Sequence, residues 1–162
     1  MSGTQSDDLV RVLVVDDSEV ARSVLAQVVD ATTGFTLVGS SGSGAEALGM
    51  LPRLDPDLVL LDVNMPGLSG PETARRIADT HPDMAVLLVS ADTPDFAEPP
   101  VAPFLPKREV SPGKLRELWA TTRAEAAALR IQAQERREDA QALTAQAEHQ
   151  LRRAKRIRRS RD

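Results

Sequence analysis

The chain contains no cysteine, which rules out a disulfide framework and any thiolate metal site and fits a reducing compartment. Tyrosine is also absent, and three Phe and one Trp are the only aromatics. The basic C-terminal end has neither aromatics nor a recognition fold, which argues against sequence-specific reading of DNA there. No apolar run approaches the ~20 residues that cross a bilayer, and Met1 to Asp8 is polar and acidic, without the basic and apolar regions of a signal peptide. A cytoplasmic protein without a transmembrane segment is expected. The two histidines lack partners for metal binding or nucleophilic catalysis: His81 stands beside Pro82 in a loop, and His149 lies on a polar helical stretch.

Charge is present in quantity but unevenly placed. Residues 1–110 hold 17 acidic and 7 basic side chains, whereas 111–162 hold 7 acidic and 13 basic, so a net −10 half is joined to a net +6 half. At 162 residues this suggests one ordinary domain plus an appendage. The expected divisions are a disordered lead over 1–8, a domain over 9–121 and a helical extension over 122–162.

Val10 to Val15 is an uninterrupted β-branched and leucine run, the pattern of a strand buried on both faces of a parallel sheet. Ser18 caps a helix to Asp30, with Val20, Val24, Leu25 and Val28 at helical spacing. A strand over Phe35 to Gly39, a helix from about Ala45 to Arg53 and a strand over Asp57 to Asp62 follow. A helix from about Ser69 to Thr80 and a strand over Met84 to Ser90 complete the repeat. Such alternation with short connections predicts a doubly wound parallel α/β sheet. Five prolines between Ser90 and Lys107 (Pro94, Pro99, Pro100, Pro103 and Pro106) then exclude a regular helix. The fourth helix is expected to be short, distorted or missing, and Val101 to Leu105 to form a fifth strand at an edge.

Asp16 and Asp17 end the first strand and Asp62 ends the third. The carboxyl ends of parallel strands form the crevice of an open α/β sheet, so three carboxylates gather there. Like charges that close raise one another's pKa unless a cation intervenes, and oxygen donors suit a hard divalent ion.

Ser90 and Lys107 end the fourth and fifth strands. Together, Val12-Leu-Val-Val-Asp-Asp17, Leu60-Leu-Asp-Val-Asn-Met-Pro-Gly-Leu-Ser-Gly70, Val89-Ser-Ala91 and Phe104-Leu-Pro-Lys107 resemble the receiver domain of two-component response regulators over about residues 9–121. Leu105-Pro-Lys107 followed by Ser111-Pro112 is most similar to the subfamily that usually precedes a helix-turn-helix module, here replaced by a long helix. The resemblance implies a flavodoxin-like fold of five parallel strands, and a phosphoacceptor, not an enzyme beyond its own phosphorylation and dephosphorylation. It implies that Asp62 takes a phosphoryl group from a sensor histidine kinase. Mg²⁺ would be held by Asp17, Asp62 and the Asn64 main-chain carbonyl, and through water by Asp16. Ser90 and Lys107 would bind the new phosphoryl oxygens, and Asn64 and Asp92 would tune dephosphorylation. Phe104 would turn into space vacated by Ser90, or it is a core aromatic. Arg108 stands where many receivers have proline, so no cis peptide is expected after Lys107.

From Ser111, with Pro112 at the first helical position, no further proline follows and no glycine after Gly113. A helix from 112 to about 159 would be roughly 70 Å long at about 1.5 Å per residue and would project from the domain. Leu115, Leu118, Thr122, Ala126, Leu129, Ala133, Ala140, Leu143, Ala147, Leu151 and Ala154 follow spacings of three and four, interrupted by Arg136 and Arg137. A strict heptad is not sustained, so a coiled coil would be loosely specified. Arg152, Arg153, Lys155, Arg156, Arg158, Arg159 and Arg161 crowd the end, more cations than a helix terminus needs. Three outputs fit: homodimerisation or partner docking through the helix; nucleic-acid-level regulation through the basic tail, which would bind polyanions or an acidic partner weakly; or regulation of a longer protein whose output domain is absent from this chain.

Overall fold

The structure, a computed structural model, describes residues 9–96 and 99–159; the expected lead over 1–8, and Arg161, lie outside them. Five strands, β1 (Val10–Val15), β2 (Phe35–Ser41), β3 (Leu58–Asp62), β4 (Ala85–Ser90) and β5 (Phe104–Pro106), alternate with α1 (Glu19–Asp30), α2 (Gly44–Leu54) and α3 (Gly70–Thr80). The sheet order is β2-β1-β3-β4-β5 and every pairing is parallel. This is the doubly wound parallel sheet expected from the alternation, in the flavodoxin-like form that the resemblance implies. A final helix, α4 (Pro112–Arg159), ends the described chain.

Val12–Val15 of β1, Leu58–Leu61 of β3 and Ala85–Val89 of β4 are unbroken apolar runs because each face meets a different set of helices. Val12 and Val14 of β1 join Leu25 and Val29 of α1 and Leu115 of α4 in one core cluster. Leu13 and Val15 pack with Ala47 and Leu51 of α2 and Ala74 and Ile77 of α3 in the other. Period-two geometry sends neighbouring residues to opposite faces, so a doubly covered strand shows no polar alternation. Trp119 sets its ring edge-on to Phe35 at 6.4 Å, which ties the first turns of α4 to the α1 face. The chain divides into two units after Ala120.

Serine begins each of the first three helices. Ser18, Ser43 and Ser69 accept hydrogen bonds from the main-chain N–H groups of Ala21, Glu46 and Glu72, satisfying donors that the helix leaves free.

Several strand boundaries differ from expectation; β4 starts at Ala85, one residue late, because the Met84 N–H donates to the His81 carbonyl. β2 continues to Ser41 because a register shift between Val12 and Leu13 keeps it paired with β1 to Val15. Strand β3 starts at Leu58, since Asp57 accepts the Arg11 N–H on its side chain. Strand β5 is Phe104–Pro106, three residues later in start than its apolar run, because Pro103 cannot donate and contributes only its carbonyl, to the Leu88 N–H. No helix occurs among the described residues between β4 and β5. Phe96 and Ala102 instead cover that side of the sheet with Phe104. Among the described residues no peptide bond is cis.

Candidate functional site

The first strand delivers Asp16 and Asp17 to the carboxyl edge of the sheet, and β3 delivers Asp62. Asp16 and Asp62 are buried whereas Asp17 is exposed, and each offers an oxygen within 4.8 Å of the others. Asp16 is held from its own loop: Oδ1 accepts the Ser18 N–H at 2.9 Å, and its main-chain carbonyl accepts from Arg22 Nη1 at 2.7 Å. Following β5, a 3-10 turn over Lys107–Glu109 brings Lys107 Nζ to 2.6 Å from Asp16 Oδ2 and 3.2 Å from Asp62 Oδ1. The shorter contact is an ion pair without hydrogen-bond alignment, and Asp16 Oδ2 has no aligned donor.

Three carboxylates against the one ammonium of Lys107 leave the pocket negative. Three clustered carboxylates as hard oxygen donors, with negative charge in excess of the single ammonium, suit a hard divalent cation such as Mg²⁺.

Ser90, buried at the end of β4, accepts a long 3.5 Å hydrogen bond from Asn64 Nδ2. Asn64 and Asp92 are both exposed. Phe104 is half-buried and meets Phe96 edge-on, with ring centres 5.9 Å apart. Of the expected residues, Asp62, Asp16, Asp17 and Lys107 are brought together, Ser90 and Asn64 are joined to each other, Phe104 lies in the core with Phe96, and Asp92 stands exposed after β4.

Gly70 closes one of the sequence motifs, yet nothing in the sequence gives it a role. A Cβ there would collide with the Asp62 carbonyl oxygen and come within 2.8 Å of Val63 Cα, while its N–H donates to the Val63 carbonyl at 3.0 Å. Glycine thus lets α3 rest directly on the backbone that carries Asp62. Gly44 does the same between helices, where a Cβ would strike Thr73 Oγ1. Phe96 had no sequence signal, because its partner is reached through a proline-rich irregular segment.

Burial is the largest influence on Asp62 and pushes its carboxyl above the usual range; the charge of Asp16 adds to this and Lys107 opposes it. Burial pushes Lys107 downward, but its contacts with Asp16 and Asp62 outweigh that and leave it above its usual range. The folded state therefore holds the Asp62 proton more tightly than the unfolded chain does. That contribution to stability is complete below the ordinary value of 3.8 and is lost as pH rises through the raised one. Lys107 acts in a separate window: its contribution is intact below 10.5 and is lost as pH rises through its higher folded pKa. Without added metal, the Tm of the parent should fall relative to that of Asp62→Asn as pH climbs from about 4 through the weakly acidic range. A Tm difference that is flat across that range would show that Asp62 titrates normally.

The family described as "Response regulator receiver domain" matches residues 12–99, more than half of the chain. This protein is a member of the response regulator receiver family. The receiver is 40% identical over 82 residues to "Response regulator GacA" of Pseudomonas viridiflava, an alignment covering 51% of this chain and 38% of that protein. It is 39% identical over 83 residues to a protein-glutamate methylesterase/protein-glutamine glutaminase of Trichodesmium erythraeum, covering 51% of this chain and 24% of that one. The chain thus spans well under half the length of these relatives. Among solved structures it is similar to the response regulator domain of Thermotoga maritima CheB, with TM-score 0.60 and 30% identity over 69% of this chain and 95% of that one. The receiver domain of the putative response regulator NarL from Mycobacterium tuberculosis matches with TM-score 0.61 and 27% identity, over 71% and 96%. Among the described residues no helix is long and apolar enough to cross a membrane.

Proposed function

We propose that this receiver is a cytoplasmic phosphoacceptor in which Asp62 takes a phosphoryl group from a sensor histidine kinase and passes the change to the C-terminal helix. One observation carries the reading: a buried carboxylate at a strand end shares Lys107 with Asp16, and Asp17 completes the acidic cluster. Asp62 supplies the nucleophilic oxygen. Its bond to phosphorus forms as the phosphorus–nitrogen bond of the donor imidazole breaks, and the departing nitrogen takes a proton. Asp16, Asp17, Asp62 and the Asn64 main-chain carbonyl would hold Mg²⁺, which when bound neutralises charge on the phosphoryl oxygens.

Ester formation removes one negative charge from Asp62 and the phosphoryl group brings about two, so the site gains about one. Lys107 and the Ser90 hydroxyl answer that gain, while exposed Asn64 and Asp92 set how readily water reaches the phosphorus. A moving Ser90 would release its bond from Asn64 and open room beside Phe104. The test of the acceptor is transfer of label from a small acyl phosphate, with and without Mg²⁺. Hydrogen exchange between residues 85 and 110 tests the relay: a phosphoryl mimic should alter protection in the parent and much less in Ser90→Ala. An equal response in both would discard Ser90 as the relay.

The output proposed is the helix itself, as an element that pairs with another helix. Most helical stability in proteins comes from packing a face, and α4 leaves Ala133, Ala140, Leu143 and Ala147, at spacings of seven, three and four, exposed. The methylesterase named among the relatives is matched over 83 residues, 24% of its length, and its catalytic activity forms no part of this proposal. A second reading rests on the exposed Arg152, Arg153, Lys155 and Arg156, which favour weak, sequence-independent polyanion binding. Counting the seven basic residues between 152 and 161, the slope of log affinity against log salt should not exceed about −5 for single strands or −6 for duplex. Titrating labelled RNA and DNA into the parent and a variant with Arg152, Arg153 and Arg156 changed to Gln checks this. Identical binding at low salt would leave those arginines to the helix end or a protein partner.

A further inference from the structure

The C-terminal helix carries alanine at every seventh position from Ala126 through Ala133, Ala140 and Ala147 to Ala154. Named a in a heptad, these put Arg136, Leu143 and Gln150 at d. A pairing seam is therefore present, but one side of it is uniformly small and the other large or polar.

We propose that two copies of this chain pair through α4 in antiparallel orientation, with Ala133 of one copy opposite Leu143 of the other and Arg136 opposite Ala140. This rests on the reading of α4 as a pairing helix and adds its partner and direction.

Three features select the direction. In a parallel pair each position meets itself, so Arg136 would face Arg136 in the seam, and layers would alternate between alanine alone and large side chains alone. Antiparallel pairing sets a against d, matching small with large in each layer. It also gives Arg136 an alanine to cross, so that the guanidinium can reach water while the stem stays covered.

The second feature is the basic end. Parallel pairing would set Arg152, Arg153, Lys155 and Arg156 of both copies side by side, whereas the antiparallel register separates the two clusters along the seam.

The third is complementarity. In the register that places Ala133 opposite Leu143, the flanking position of Glu125 meets that of the partner copy's Arg153, twice by symmetry. Sliding by one heptad sets Gln132 there instead. Arg137 and Asp139 each face their own copy beside the symmetry axis, so the pair is weak and reversible, as suits an element governed by a switch.

Because the chain has no cysteine, Ala133→Cys and Leu143→Cys each introduce a single thiol on an exposed helical position. Gentle oxidation of an equimolar mixture of the two full-length variants should give a covalent dimer containing one of each, several-fold above either variant alone. Efficient crosslinking of each variant with itself would overturn the proposal in favour of parallel pairing. No crosslink in any sample, with the parent monomeric by light scattering, would overturn pairing altogether. Charge exchange gives a second readout: Glu125→Arg should weaken association about fivefold at low salt, and adding Arg153→Glu should restore it. Failure to restore would overturn the register. Labelling Asp62 in the same samples with a small acyl phosphate reports separately on the phosphoacceptor, so the two readings fail independently.

Discussion

Asp62→Asn should reduce phosphoryl incorporation by more than about a hundredfold, to background, while leaving the fold intact. The substituted amide has nearly the shape of the carboxylate, so the buried end of β3 keeps its packing, but it carries no anionic oxygen to attack phosphorus. Incorporation into the parent should require Mg²⁺ and disappear on chelation, since the crowded carboxylates would otherwise repel the donor's phosphoryl oxygens. The variant also relieves repulsion from Asp16, so it should be no less stable than the parent. Acid-labile label on the intact chain, located by mass after proteolysis, measures the effect. Persistent label in the variant would move the acceptor to another residue, with Asp17, the exposed member of the cluster, the next candidate.

Gly70→Ala should cost about 3 kcal/mol or more, at the upper end of overpacking penalties, and lower the Tm by on the order of 10 °C. The added methyl would meet main-chain atoms of Asp62 and Val63, and backbone cannot rotate aside as the end of a long side chain can. Relief requires α3 to lift from β3 or the strand end to shift. Either movement displaces the Asp62 carboxylate, so phosphorylation should slow by on the order of a hundredfold. The companion change Gly49→Ala is its control. Gly49 lies in the interior of α2, where an added Cβ would meet open space, and alanine there should add about 0.5–1 kcal/mol by helix propensity. Thermal melts of both variants, with labelling rates, decide the matter; a Gly70→Ala protein that melts and labels like the parent would mean that α3 does not position Asp62.

Much of the fold was legible because the sheet is covered on both faces. Runs such as Val12-Leu-Val-Val and Leu58-Val-Leu-Leu can only be strands of a buried parallel sheet when bounded by capped helices, and aspartate at their ends marks the crevice. That no helix occurs among the described residues between β4 and β5 followed from five prolines, which remove donors and forbid helical backbone. By itself the sequence also determined the charge division and the long final helix, which has no proline after Pro112.

Tertiary structure alone decided three matters. It brought Lys107, 45 residues along the chain from Asp62, to within ion-pair distance of both Asp16 and Asp62, a meeting produced by strand order and the turn after β5. It assigned Gly70 its role, because a close approach of helix to strand depends on what lies opposite the missing Cβ. It also recruited Phe96 to Phe104 in place of a helix. Local patterns report which residues seek burial, but the partner each finds is set by contacts between distant segments, and those exist only when the sheet has closed.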